Sequence, residues 1–183
     1  MGDELSFVVP AKTLNEVTKL IGDDEETVSL GVGKRHIVFE IGNYSIVSRL
    51  LDGEFLNYKN AIPPTCTSTA IVNTREMIES IDRTSLIITD KFKSPVRFIF
   101  DNDLVRISSV TALGTANDSF SCKYEGNKIE IGFNNKLLLD ALKVCDADEV
   151  KIELNSGAAP ILILPTEGDN FLFLILPMRF KKD

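Results

Sequence analysis

Lys12, Glu16 and Lys19 recur in type and spacing as Lys136, Asp140 and Lys143, and a further stretch offers Arg75 and Glu79 followed by Asp82-Arg83. Residues three and four apart share one side of a helix, so each set forms a polar face with cations flanking an acid. Taken singly, such a face is a solvated surface held by ion pairs worth a few tenths of a kcal/mol each. Repeated three times in equivalent positions, the faces line up into a basic strip at about phosphate spacing, a sequence-independent way to hold DNA. Lys12, Lys19, Arg75, Arg83, Lys136 and Lys143 are the candidate DNA-facing residues. The net charge of −7 opposes general attraction to nucleic acid, but an acidic protein can still carry a basic lining.

Covalent catalysis has few candidates. A hydrolase or transferase needs a nucleophile beside a base, and the sole histidine, His36, sits in the strand-like pattern Arg35-His-Ile-Val-Phe-Glu40 as a surface residue. No G-x-S-x-G, P-loop, H-E-x-x-H or dinucleotide fingerprint accompanies it. The acidic groups Asp23-Asp-Glu-Glu26 and Asp146-Ala-Asp-Glu149 lack EF-hand spacing and read as solvated turns after helices, while convergence of acids from distant parts of the chain stays open. Cys66, Cys122 and Cys145 are odd in number and widely spaced, which disfavours a disulfide framework or zinc knuckle and points to a reducing cytoplasm. No cofactor is expected. With 44% hydrophobic and 26% charged residues the composition is that of a globular protein, without a run of 18 apolar residues, a signal peptide or a lipidation motif, so no membrane partner is expected.

A different chemistry, apolar recognition, is offered by Asn170-Phe-Leu-Phe-Leu-Ile-Leu-Pro-Met-Arg179. The unbroken apolar run predicts a strand buried on both faces, ended by Pro177, which has no N–H for the ladder. Beyond it Met178, Arg179 and Phe180 form either a recognition tip or a loose terminus.

These residues are positioned by one unit written three times, a short strand running into an amphipathic helix and then into several strands, at a spacing of roughly sixty residues. The first copy opens with Ser6–Ile21, with Pro10 in the opening turn and Leu14, Val17 and Ile21 on one face, and continues in strands at 27–32, 35–41 and 44–51 joined by Gly33-Lys34 and Gly42-Asn43. The second opens at Thr69, with Asn73 and Glu76 as a capping pair and Met77, Ile78 and Ile81 facing inward; strands follow at 96–100, 104–110 and 119–124, with Asp101-Asn102-Asp103 as a tight turn. The third runs from Lys128 through a helix again started by Asn, then strands at 150–154, 160–164 and the last strand. The proline-rich stretch 56–68 marks a boundary, whereas copies two and three are joined only by Gly126-Asn127 and are expected to pack as one domain with two helices on one side of antiparallel sheets. The expected class is α+β, with one half-domain over residues 1–60, a linker at 61–68 and a complete domain over 69–183. A lone helix on a short sheet buries too little surface, so the odd copy implies a fragment of a longer protein or pairing with another chain.

The repeat carries a family resemblance. Val8-Val-Pro-Ala-Lys12, Leu50-Leu-Asp-Gly-Glu-Phe55 with Tyr58, Lys91-Phe92 with Val96-Arg97, Ile129-Glu-Ile-Gly-Phe-Asn134 and above all Leu176-Pro-Met-Arg179 resemble the carboxy-terminal half of a bacterial DNA polymerase III sliding clamp, over essentially the whole chain. Clamps of this family are head-to-tail homodimeric rings of three similar domains per subunit, with helices lining a DNA channel. The resemblance implies the DNA clamp (processivity) fold, covering the second half of the middle domain and the whole last domain. It implies a non-enzymatic processivity factor that slides on double-stranded DNA and tethers the polymerase III alpha subunit, the clamp loader and repair polymerases through clamp-binding peptides. The peptide pocket would comprise Leu56, Asn60, Ala61, Ala158, Pro160, Leu174, Ile175, Leu176, Pro177, Met178 and Arg179, and the subunit interface would include Leu86 and Ile87. Asn60 stands where related clamps often carry a basic residue, Ala11 replaces a basic neighbour of Lys12, and a Thr-Asp-Gly-His-Arg wall segment is missing; weaker peptide binding and weak, salt-sensitive DNA binding by an unclosed ring are therefore expected. The alternative is a stand-alone peptide-docking module that does not encircle DNA.

Overall fold

In the computed structural model, residues 5–21, 27–89 and 94–180 are described, and they fall into two compact units, Met1–Lys59 and Asn60–Asp183. In the first unit, helix α1 (Ala11–Leu20) starts after Pro10, whose carbonyl accepts the Thr13 and Leu14 N–H groups at 2.9 and 3.3 Å. It accompanies an antiparallel sheet of β1 (Ser29–Val32), β2 (His36–Ile41) and β3 (Tyr44–Arg49), and the Leu51 N–H reaches the Val8 carbonyl at 2.9 Å. The fully buried core here is Val17, Ile37, Phe39 and Ile41. Of the apolar helix face expected from the sequence only Val17 is buried; Leu14 and Ile21 remain 43% and 38% exposed, because three strands supply too little surface to cover the stripe. His36 lies exposed at the start of β2, opposite Arg49.

The second unit is one eight-stranded antiparallel sheet with two helices. Its elements are β4 (Ser68–Asn73), α2 (Thr74–Ser85), β5 (Val96–Asp101), β6 (Leu104–Thr111), β7 (Gly114–Glu125), β8 (Ile129–Phe133), α3 (Asn135–Lys143), β9 (Glu149–Leu154), β10 (Ile161–Pro165) and β11 (Phe173–Ile175), in the order β11-β10-β9-β4-β7-β6-β5-β8. Both helices are capped as their sequences predict. The Asn73 carboxamide oxygen accepts the Glu76 N–H at 3.0 Å, and that of Asn134 accepts the Lys136 and Leu137 N–H groups at 3.0 and 3.4 Å. Asn102 and Asp103 both take positive φ, 49° and 58°, the backbone a two-residue hairpin requires. Strand β7 begins at Gly114, five residues before its predicted start, because pairing with β6 holds Gly114–Asp118 extended although the segment lacks β-branched and aromatic signal. Its far end pairs with β4 of the same copy, Val72 opposite Cys122, while β4 with β9 and β5 with β8 join the two copies into one sheet. Helices α2 and α3 touch and cover a core that includes Met77, Ile81, Phe98, Phe100, Phe133, Leu138 and Leu142.

The last strand departs from expectation. It is three residues long and outermost in the sheet, paired with β10, and only one of its faces is buried. Its two sides differ: Phe171, Phe173 and Ile175 pack against the core, while Leu172 and Leu176 are 43% and 68% exposed. An unbroken apolar run therefore serves two roles, one side for the fold and one turned outward. After Pro177 the chain is tied to the opposite edge strand. The Met178 N–H donates to the Gly132 carbonyl of β8 at 2.7 Å, and the Phe180 ring lies under the Arg97 guanidinium, 4.7 Å from its centroid, while Arg97 also pairs with Glu130 at 3.3 Å. A Cβ on Gly132 would sit 2.8 Å from both the Met178 carbonyl oxygen and the Phe180 ring, so only glycine admits the tail. Gly157, at the tip of the β9–β10 hairpin, abuts the Glu130 carbonyl in the same way.

The three cysteines are free thiols. Burial, with Asp103 nearby, pushes the Cys122 thiol up to about 11 from its ordinary 9.0. Only the thiolate reacts, so at pH 8 the reactive fraction should be about 100-fold below that of an unperturbed thiol. Iodoacetamide labelling followed by peptide mass analysis should show Cys122 as the slow site, with a rate still rising above pH 10; a plateau by pH 9.5 would refute the placement.

Candidate functional site

Around the end of β11 the second unit has an open apolar hollow of about 410 Å³, lined by Leu137, Asp140, Ala141, Phe173, Leu174, Ile175 and Leu176. Strand β11 supplies one wall and the outer face of α3 the other. Leu137 is 56% exposed and Leu176 68%, so the hollow carries two large aliphatic groups in contact with water. A second hollow of about 470 Å³ is lined by Ile88, Thr89, Ser94, Asn134, Asn135, Lys136 and Met178. Met178 is placed there by its backbone bond to Gly132.

Of the residues expected in the peptide pocket, Leu174, Ile175 and Leu176 meet in the first hollow, with Ile175 mostly committed to the core at 9% exposure, and Met178 lines the second. Arg179 is exposed and Pro177 half-buried in the tail between β11 and Phe180. Ala158 is exposed and Pro160 half-buried in the β9–β10 hairpin, where the Ala159 N–H closes onto the Ser156 carbonyl at 3.3 Å. Asn60 and Ala61 are exposed in the 3₁₀ turn Tyr58–Ala61; Leu56, 76% exposed, belongs to the first unit. Leu137, Asp140 and Phe173 were not among the residues expected in the pocket. The signal was the triplet Leu137-Leu138-Leu139: Leu138 and Leu139 are buried, which leaves Leu137 as an apolar residue out of phase with the buried stripe.

Three of the six candidate cations, Lys19, Arg75 and Arg83, pair with acids. Lys19 pairs with Glu16 at 2.9 Å, a hydrogen bond that holds the Glu16 carboxyl below its usual range with help from the Lys19 and Lys12 charges. Arg75 pairs with Glu79 at 2.9 Å, and Arg83 lies between Glu79 at 3.7 Å and Asp118 of β7 at 2.8 Å. Burial raises the Asp118 carboxyl, but the Arg83 guanidinium and the Ser119 N–H outweigh it and leave its pKa lowered. Lys12, Lys136 and Lys143 are exposed, Lys143 in the last turn of α3, where its charge suits the carbonyl end of the helix. Leu86 caps the carboxyl end of α2 at 81% exposure, with Ile87 half-buried beside it. The Lys91-Phe92 motif and the Asp23–Glu26 cluster lie outside the described residues.

Comparison with known proteins decides the family. Residues 59–179 match the model of the DNA polymerase III beta subunit, C-terminal domain, and residues 1–57 that of its central domain. The chain belongs to the DNA polymerase III beta subunit family. Among the relatives of this beta-subunit chain, the Beta sliding clamp of Staphylococcus epidermidis is 30% identical over 176 residues, covering 95% of the chain and 47% of that protein. The Beta sliding clamp of Staphylococcus aureus is 29% identical over 181 residues, 98% of the chain and 48% of that protein. Among solved structures, a putative DNA polymerase III beta subunit from Eubacterium rectale superposes with a TM-score of 0.89 at 33% identity, covering 99% of the chain and 49% of that structure. The DNA polymerase sliding clamp from Bacillus subtilis gives 0.87 at 31% identity, with 94% and 46% covered. The α+β fold of helix-plus-antiparallel-sheet units is thus the clamp fold, and this beta-subunit chain spans about half the length of the relatives it matches. None of its described helices is long and apolar enough to cross a membrane.

Proposed function

We propose that this chain acts, without catalysis, as the carboxy-terminal portion of a cytoplasmic sliding clamp, docking the clamp-binding peptides of polymerases and of the clamp loader. The division is proposed as 1–60 from the middle domain, 61–68 as linker and 69–183 as last domain. The observation that carries the reading is the water-exposed apolar hollow at β11, followed two residues after Leu176 by Met178, which lines a second hollow. Leucine and methionine make a deformable apolar slot suited to varied peptides, and Arg179 supplies a cation at its margin. Titration calorimetry with a clamp-motif peptide tests the reading, and absence of heat and of competition at millimolar peptide would reject it.

A second reading, a peptide-docking module that does not hold DNA, is favoured by the pairing of Lys19, Arg75 and Arg83 with acids. The proposed DNA-facing set is Lys12, Lys19, Arg75, Arg83, Lys136 and Lys143, and the proposed ring contact is Leu86 and Ile87. If those cations contact phosphates, fluorescence anisotropy with a duplex should show affinity falling steeply with salt, with Lys12→Ala and Lys136→Ala each lowering the log–log slope by about 1. A slope near zero, with peptide binding retained, selects the module.

A further inference from the structure

The three helices carry an acid at the same place. Counted from the caps Pro10, Asn73 and Asn134, the sixth residue is Glu16 in α1, Glu79 in α2 and Asp140 in α3. The first two are committed to cations of their own helices: Glu16 pairs with Lys19 at 2.9 Å, and Glu79 with Arg75 at 2.9 Å and Arg83 at 3.7 Å. Asp140 differs. It is exposed and makes no ion pair or hydrogen bond with any described residue, although Lys136 and Lys143 lie four positions before it and three after it on the same helix.

The residue one turn earlier has changed character as well. The third position from the cap is Thr13 in α1, which shares a hydrogen bond with Ser48 at 2.7 Å, and Glu76 in α2, whereas in α3 it is Leu137, 56% exposed. Residues three apart stand side by side on a helix, so α3 presents an aliphatic group next to a carboxylate where the other two helices present two polar side chains. Both line the hollow at β11, with Phe173 and Leu176 on the facing wall, and Asp140 is the one titratable side chain among the described residues that line it.

A carboxylate left unpaired by its own helix, beside bare apolar surface, fits a long basic side chain. Lysine and arginine lay an apolar stem along aliphatic groups while the charged head reaches an acid, and a charge-assisted hydrogen bond gains strength where apolar flanks keep water away. An acidic side chain in the same slot would meet a like charge, so the arrangement rejects as well as attracts. We propose that Asp140 sets the specificity of the hollow: a docked peptide seats an aliphatic residue between Leu137 and Leu176 and places a neighbouring lysine or arginine on the Asp140 carboxylate. This rests on the peptide-docking reading above and names the class of segment that docks, one that is basic as well as apolar.

Titration calorimetry of the full chain tests it, with a clamp-motif peptide in which each residue flanking the aliphatic anchors is replaced in turn by Lys, Gln or Glu. At one position or more, the Lys peptide should bind roughly threefold tighter than the Gln peptide, the size of one partly exposed ion pair, and the Glu peptide more weakly than either. Asp140→Asn should abolish that preference while leaving the affinity for the Gln peptide unchanged, and Asp140→Lys should reverse it. Asp140→Glu keeps the charge and should keep the preference, which tells loss of the charge from loss of the fold. Glu79→Gln controls for the general field of a chain with net charge −7 and should leave the preference intact. Equal affinity for the Lys, Gln and Glu peptides overturns the inference, as does a Lys preference that survives Asp140→Asn or that Glu79→Gln reduces as much. Failure of the docking reading looks different, since then no peptide of the set, the parent included, gives heat, and this inference falls with it.

Discussion

A Gly132→Val chain is expected to lose about 2 kcal/mol of stability and to release its tail while keeping the eight-stranded sheet. The Cβ alone would sit 2.8 Å from the Met178 carbonyl oxygen and the Phe180 ring, and valine adds two methyl groups. The sheet cannot yield cheaply, because β8 is paired along its length with β5 and its Ile129, Ile131 and Phe133 are buried. The tail can. Its release costs one backbone hydrogen bond, about 1 kcal/mol, and the Arg97–Phe180 contact, about 0.5–1 kcal/mol at a half-exposed site. The Met178 amide should exchange at the rate of an unstructured peptide, and urea unfolding should give a lower midpoint with an unchanged slope. A chain ending at Pro177 should reproduce the loss, and adding Gly132→Val to it should cost little more, the signature of two changes acting on one contact. Full additivity, or a protected Met178 amide in the valine chain, would place the strain in β8 instead.

The second large effect is on recognition. Leu176→Ala and Met178→Ala should each weaken a clamp-motif peptide by about 1 kcal/mol or more, and together by about 2 kcal/mol, a roughly 30-fold rise in Kd. Near-additivity is expected because Leu176 lines one hollow and Met178 the other. Leu176 is largely in water at 68% exposure and Met178 only partly so at 38%, so truncation should shift the melting temperature by a degree or two for Leu176→Ala and by a few degrees for Met178→Ala. That separates recognition from stability. Leu137→Ala, on the opposite wall, should behave like Leu176→Ala, and Leu86→Ala should leave peptide affinity unchanged. Equal affinity of all these chains for the peptide would remove the hollow from the proposed site. Gly132→Val links the two experiments, since freeing the tail should weaken the peptide through Met178 without altering Leu176.

The local rules were legible in the sequence because their causes lie within a few residues. Asn73 and Asn134 cap helices through their own side chains, the Asn102-Asp103 pair turns a hairpin through its own backbone, and the apolar stripes of α2 and α3 follow the helical period. The threefold repeat was readable for the same reason, and with it the family. Tertiary structure alone decided which side of Phe171–Leu176 faces water, since a one-sided edge strand and a buried central strand share the same run of letters. It alone brought Asp118 to Arg83 across 35 positions of sequence and laid Met178 on Gly132 across 46, contacts whose free energy depends on distances no local pattern encodes. The polar helix faces show both sides of this division: the spacing of Lys12, Arg75 and Lys136 was set by the sequence, while the neutralisation of Arg83 depended on an acid delivered by a strand of the sheet.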